Sequence, residues 1–223
     1  MGAVIGDILP LAVGVMISPI PIIAAILMLL SPKAKGTSVG FLLGWVLGIV
    51  VALVVFILLA SVITPADPTE PQPVAGVIKL LLGALMLFLA VKQWRGRPHG
   101  DQEPSLPSWM AAIDQMTAVK GFGLGFLLAA VNPKNLLMGA SAGVTIGSAG
   151  LAPGSVVVSV VVFTVIAAAS VAVPVIGYLV ASKAMAAPLE SLRQWLLRNN
   201  ATVMAVLLLV IGVTMVGKGI GSF

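Results

Sequence analysis

The sequence predicts an all-α integral membrane protein with six transmembrane helices, arranged as two inverted three-helix repeats whose first helices (spans 1 and 4) are broken. Three observations predict it. Of the 223 residues, 60% are hydrophobic and 9% charged, against about 45–50% and about 25% in soluble domains; mean hydropathy is +1.17. From Asn135 to Ser182 no residue is charged, a run more than twice the roughly 20 residues that cross a bilayer. Prolines also interrupt two apolar stretches at comparable depth, in corresponding places of the two halves. A soluble enzyme, a disordered regulator and a secreted disulfide domain are excluded.

The elements follow in order. Ile8 to Pro32 is the first uncharged stretch. No Lys or Arg precedes it, so a retained span is expected rather than a cleaved signal peptide. A second span covers about 36–62 and ends in a Pro-rich acidic turn, 64–73. A third covers about 74–91. The only long polar segment, 92–117, is dense in Pro and Gly and too short for a second domain. Span four runs from about 119 to 148, and span five from about 155 to 180 after an uncharged turn. Leu189, Leu192, Trp195 and Leu196 then fall at helical spacing opposite Glu190, Arg193, Gln194 and Arg198, which predicts an amphipathic interfacial linker over 184–198. Span six is 199–216. The chain is read as one membrane domain: repeat 1 at about 1–91, a cytoplasmic loop 92–117, and repeat 2 at about 118–223.

Loop charges set the orientation. Lys33, Lys35, Lys92, Arg95, Arg97, Lys120, Lys183, Arg193 and Arg198 all fall in the odd loops, whereas loops two and four hold no Lys or Arg. The positive-inside rule places the odd loops in the cytoplasm and both termini outside. Scattered in this way, the cations are topology determinants, and no nucleic-acid partner is expected.

The candidate chemistry lies at the two breaks. Span one reads Ser18-Pro19-Ile20-Pro21 near its middle, and span four reads Asn132-Pro133-Lys134-Asn135. A proline inside a helix removes a backbone bond and clashes with the preceding turn; two, one residue apart, predict a break. Broken helices in corresponding positions of two halves are the best sequence pointer to a transport site. Proline kinks are common in membrane helices, so Pro19 and Pro21 alone are equally a structural feature. Lys134 is harder to dismiss, because a lysine deep in a bilayer costs about 2.5 kcal/mol or more unless paired or hydrated. The acids are Asp7, Asp67, Glu70, Asp101, Glu103, Asp114 and Glu190, all in loops or near termini. With no carboxylate at mid-depth, a divalent-cation site is disfavoured and no metal is expected. Lys134 either meets an anionic group or is satisfied by carbonyls that the prolines release.

Glycines recur every four residues at Gly36, Gly40, Gly44 and Gly48, and again at Gly139, Gly143 and Gly147. Small-xxx-small faces let helices approach closely; packing within one protomer is favoured over a homodimer seam. Trp45, Trp94, Trp109 and Trp195 are read as interface anchors. With no cysteine and one histidine, His99, thiol chemistry and His-cluster metal sites are excluded. HExxH, GxSxG and paired intramembrane aspartates are missing, so neither an enzyme nor a cofactor is expected.

Ser18-Pro19-Ile20-Pro21, the 31–36 turn Ser-Pro-Lys-Ala-Lys-Gly, the glycine-spaced second span and Asn132-Pro133-Lys134 resemble the lysine-exporter (LysE) superfamily. Within it the chain is most similar to the GAP family, the actinobacterial glycopeptidolipid- and sulfolipid-addressing proteins. The resemblance covers nearly the whole chain. It implies an actinobacterial plasma-membrane exporter with two inverted repeats, whose two proline breaks meet at the substrate path and which helps move envelope lipids or glycolipids outward. Thiol-disulfide carrier relatives need cysteine beside such a proline, where this chain has Ile20. On this reading Lys134 neutralises an acidic headgroup, while Ser18, Asn132 and Asn135 supply hydrogen bonds and membrane lipids are the partners. The alternatives are an exporter of a small amino acid or cation, and a non-transporting membrane scaffold for lipid-export machinery.

Overall fold

A computed structural model describes residues 1–62, 73–97, 113 and 115–221. The acidic turn at 64–72, most of the 92–117 loop with His99 and Trp109, and the side chains of Lys79 and Lys218 lie outside the described residues. All elements described are helical: α1 (Gly2–Met16), α2 (Pro19–Leu29), α3 (Ala34–Val62), α4 (Pro73–Arg95), α5 (Ala118–Ala130), α6 (Pro133–Gly147) and α7 (Pro153–Ile220). Span one is therefore α1 plus α2, bent by 51° at the break, and span four is α5 plus α6. Both breaks have the same local cause. A polar residue in extended conformation, Ser18 or Asn132, stands at the N-cap, and a proline follows at the first helical position. Proline is pre-organised to start a helix there and cannot continue the one before it.

The chain divides into two compact units, Met1–Thr64 with Leu106–Gln194, and Pro65–Ser105 with Trp195–Phe223. In the first, α3 lies along both α5 and α6. A Cβ on Gly40 would overlap the Ala118 carbonyl, one on Gly44 the Phe122 carbonyl, and one on Gly48 would sit 2.8 Å from the Phe126 oxygen. Further on, Gly143 faces Leu53 and Phe56, and Gly147 faces Ile57 and Ala60. Numbers rise together on both sides, so α3 runs parallel to the α5–α6 rod. The glycine stripe is thus occupied by backbone of the same chain. Gly121 and Gly125 of α5 answer it by closing on the Thr37 and Phe41 carbonyls. The opposite face of α3 exposes Leu43, Leu47, Val51, Val54 and Leu58. A helix apolar all round, with one side packed and one open, suits a lipid-facing position.

Trp45 corrects one sequence expectation. It is 0% exposed, stacked on Phe41 with ring centroids 6.5 Å apart, and is core rather than an interface anchor. Trp94, with Arg97 over its ring at 4.0 Å, and Trp195 are both exposed.

In the second unit α4 packs antiparallel to the C-terminal part of α7. Gly83 lies against Val216 and the Gly212 carbonyl, Gly212 against Leu87, and Gly219 against Leu80. These glycines are not part of a four-residue repeat, so spacing did not single them out.

α7 departs from expectation more visibly. The linker 184–198 and span six are one continuous helix, and the only non-helical residue inside α7 is Ala181 (φ −140°, ψ 56°). Span five therefore ends where expected, but no break follows the linker. The kink at Ala181 divides α7 into two helical stretches, 153–180 and 182–220, and the first is by itself long enough to cross a bilayer core. The linker keeps its polar character. The Arg193 guanidinium grips Glu190 at 2.6 and 2.9 Å, and that hydrogen bond holds the Glu190 carboxyl below the usual carboxylate range. Leu189 and Leu196 are buried, Leu192 and Trp195 exposed. Among the described residues, by length and composition, two helices, Ala34–Ala60 and Pro153–Gly217, can cross a membrane alone, and the bent pair α1–α2 makes a third candidate.

Candidate functional site

The two breaks meet. Lys134 and Asn135, in the first turn of α6, reach the end of α1 and the start of α2. The Lys134 ammonium donates to the Gly14 carbonyl at 2.8 Å and lies 3.5 Å from that of Ile17. Neither oxygen has a helical partner. Gly14 belongs to the last turn of α1, whose carbonyls are unmatched. The donor Ile17 would need, at residue 21, is a proline nitrogen with no hydrogen. The cation thus sits on the negative end of the α1 dipole. Lys134 is itself in the first turn of α6, where the dipole disfavours a cation, and its long stem carries the charge across to the opposite pole.

Asn135 does the same for the other broken end. Its amide nitrogen donates to the Leu128 carbonyl at 3.0 Å, in the last turn of α5, and its oxygen accepts from the Ser18 hydroxyl at 3.0 Å. Asn132 caps α6, its side-chain oxygen accepting from the Lys134 amide at 3.1 Å. One turn of helix therefore satisfies orphan carbonyls of both breaks and ties them together. The cluster is enclosed: Ser18 and Asn135 are 3% exposed and Lys134 5%. Met138 closes it one turn further on, its thioether filling the space a Cβ on Gly14 would occupy. Gly14 faces Met138 and Ile17 faces Lys134, so α1 and α6 run antiparallel. Among the described residues the ion pair is Arg193–Glu190, and Lys134 has carbonyl oxygens, not a carboxylate, around its charge.

Of the residues singled out in the sequence, Ser18, Asn132, Lys134 and Asn135 come together. Pro19 and Pro133 occupy the first positions of α2 and α6, and Pro21 acts through the hydrogen it lacks. Gly14, Leu128 and Met138 were not foreseen. The backbone oxygens of Gly14 and Leu128 carry no residue-type signal, although any residue within four places before a helix end is a candidate acceptor.

Replacing Asn132 with Ala removes the α6 cap and is expected to cost about 1 kcal/mol. Thermal unfolding of the purified protein in detergent measures it.

A family model described as Sap, sulfolipid-1-addressing protein, matches residues 8–221. No curated protein and no solved structure matches the chain. The family match spans both breaks, the intervening loop and the whole of α7, and agrees with the glycopeptidolipid- and sulfolipid-addressing resemblance of the motifs. The chain belongs to the sulfolipid-1-addressing protein family.

Proposed function

We propose that the protein is a membrane exporter, or export facilitator, for an amphiphilic anionic envelope lipid. The observation that carries this reading is the enclosed Lys134 ammonium at the junction of two broken helices, held by carbonyls alone. A carbonyl is a weaker partner for a buried cation than an anion is. An acidic headgroup entering the junction competes for the ammonium, and Ser18, Asn132 and Asn135 offer it hydrogen bonds. Releasing Lys134 from Gly14 and Ile17 frees α1 to move against α6, which couples headgroup binding to opening of the path. The family's printed description, an addressing protein for a sulfolipid, supports the substrate class.

The six-span inverted arrangement belongs to this proposal. Two helix directions support it. The rod α5–α6 runs parallel to α3, as spans two and four of that arrangement would. The broken helices α1 and α6 run antiparallel, as inverted repeats require. On this arrangement the basic odd loops face the cytoplasm and both termini lie outside, in a plasma membrane.

Vesicles reconstituted with the full chain provide the test. Fluorescent lipid tracers with an acidic or a choline headgroup are followed by quenching at the outer face. Faster movement of the acidic tracer alone is the expected result. A second reading, export of a small soluble amino acid or cation, is favoured by how tightly the cluster is closed. Flux of a labelled amino acid with both lipid tracers static would establish it and overturn the lipid reading.

A further inference from the structure

A second feature, separate from the Lys134 junction, is a cleft of about 600 Å³ in the first unit. Its volume is within the usual range for a small-ligand site. Lys33 and Lys35 line it together with Thr117, Tyr178 and Ser182, and the hydroxyls of Ser31 and Thr37 complete the polar wall. Among the described residues no carboxylate lines it. The titratable groups on it are two ammonium ions and a phenol.

Several donors there are uncommitted. Ser31 and Thr37 give their protons to the Met28 and Lys33 carbonyls, and Thr117 accepts from the Lys120 amide. The Thr117 proton, the Tyr178 and Ser182 hydroxyls and both ammonium groups have no acceptor among the described residues. The parallel packing of α3 and α5 brings two helix starts to this cleft, at Ala34 and Ala118, with Gly36 against the Ala118 methyl at 3.9 Å. First-turn amides of a helix lack intrahelical acceptors, but here that of Ala34 already donates to the Ser31 carbonyl and that of Lys120 to Thr117, so the side chains supply the donors. Tyr178 and Ser182 stand on either side of Ala181, the non-helical residue of α7. Positive charge and unspent donors here suit one ligand chemistry.

We infer that this cleft is an oxyanion-binding site, built for a phosphate- or sulfate-type group, with Lys33 and Lys35 supplying charge and Thr117, Tyr178 and Ser182 supplying hydrogen bonds. A lipid headgroup and a free inorganic anion share that chemistry. The competing account is that Lys33 and Lys35 are surface charges that merely fix topology and attract any anionic membrane. A shaped site and a surface charge differ in two ways. Only the site depends on the Tyr178 hydroxyl, and only the site shields its own lysines more than others.

Amine-reactive labelling of the purified full chain, read lysine by lysine by mass spectrometry, tests this, with Lys92 as the reference because it does not line the cleft. The probes are phosphatidylglycerol, phosphatidylcholine and inorganic phosphate. Phosphatidylglycerol is expected to protect Lys33 and Lys35 well beyond Lys92, and phosphatidylcholine is not. Protection by inorganic phosphate alone identifies a soluble anion as sufficient ligand; protection by the lipid alone identifies the headgroup. Tyr178→Phe should raise the concentration needed for protection about tenfold, the equivalent of one charge-assisted hydrogen bond. Equal protection of Lys92, protection unaffected by Tyr178→Phe, or no protection by either anion overturns the inference. Lys134→Met leaves the protection intact, so failure of the export reading and failure of this one are distinguishable.

Discussion

Replacing Lys134 with methionine is expected to abolish delivery of the envelope lipid while leaving folded protein in the membrane. The methionine stem fills most of the lysine volume, so packing against α1 is kept. Two energetic terms then oppose each other. The Gly14 and Ile17 carbonyls lose their donor, which costs about 1–3 kcal/mol for buried unsatisfied acceptors. A cation is removed from an enclosed, carboxylate-free setting, which relieves about 2.5–3.5 kcal/mol of burial cost on insertion scales. The net change in stability is small, within about 2 kcal/mol either way, whereas the charge offered to a headgroup is lost entirely. Surface-lipid extraction from cells carrying the variant, alongside thermal unfolding of the same protein, separates the two effects. Normal lipid delivery by a folded Lys134→Met protein would sink the assignment of Lys134 to the substrate path.

The largest effect on folding is expected at Gly44. Any Cβ there overlaps the Phe122 carbonyl oxygen and lies 2.7 Å from the carbonyl carbon and 3.0 Å from the Cα. The obstacle is backbone, so no rotamer change relieves it, and α5 must move away from α3. That shift propagates, because Gly40 and Gly48 make the same kind of contact one turn to either side. Gly44→Val is expected to cost about 3 kcal/mol or more, the upper range for overpacking, and to appear as a large fall in the yield of monodisperse protein and in its melting temperature. Gly123→Ala is the control. It lies on α5 with nothing within 4 Å of its added Cβ, and replacing glycine with alanine in a helix is neutral or favourable by up to about 1 kcal/mol. Similar behaviour of the two variants would show that the α3–α5 approach is not what holds the unit together.

How much of this was legible beforehand depends on the range of the interaction concerned. The broken helices were legible because their cause is local: Ser18-Pro19 and Asn132-Pro133 each place a polar cap before a proline, and no distant contact is needed to stop the previous helix there. The end of span five near residue 180 was legible from the return of polar residues at Ser182 and Lys183. The continuity of α7 through 184–198 was not. Leu189 through Arg198 have amphipathic periodicity, but that says how a helix turns and not whether it ends, and Pro188 is accommodated inside it. Trp45 was misplaced for a related reason. A tryptophan in an apolar span has the composition of an interface anchor, and only the closeness of Phe41 and the approach of α5 at Gly44 put it in the core. The cleft at Lys33 and Lys35 was invisible too, since Thr117 and Tyr178 are far away in sequence.

By itself the sequence determined the membrane class, the two breaks and the isolation of one deep cation, because scarcity of charge, proline chemistry and helix capping all act within a few residues. Only the tertiary structure decided what that cation touches. Lys134 and Gly14 are brought together by antiparallel α1 and α6, and the oxygens it meets are backbone atoms that every residue carries, so no pattern of side chains could have named them. The low charge that identified a membrane protein also explains the outcome: with no carboxylate beside it among the described residues, the buried lysine is held by carbonyls that the first broken helix left unpaired.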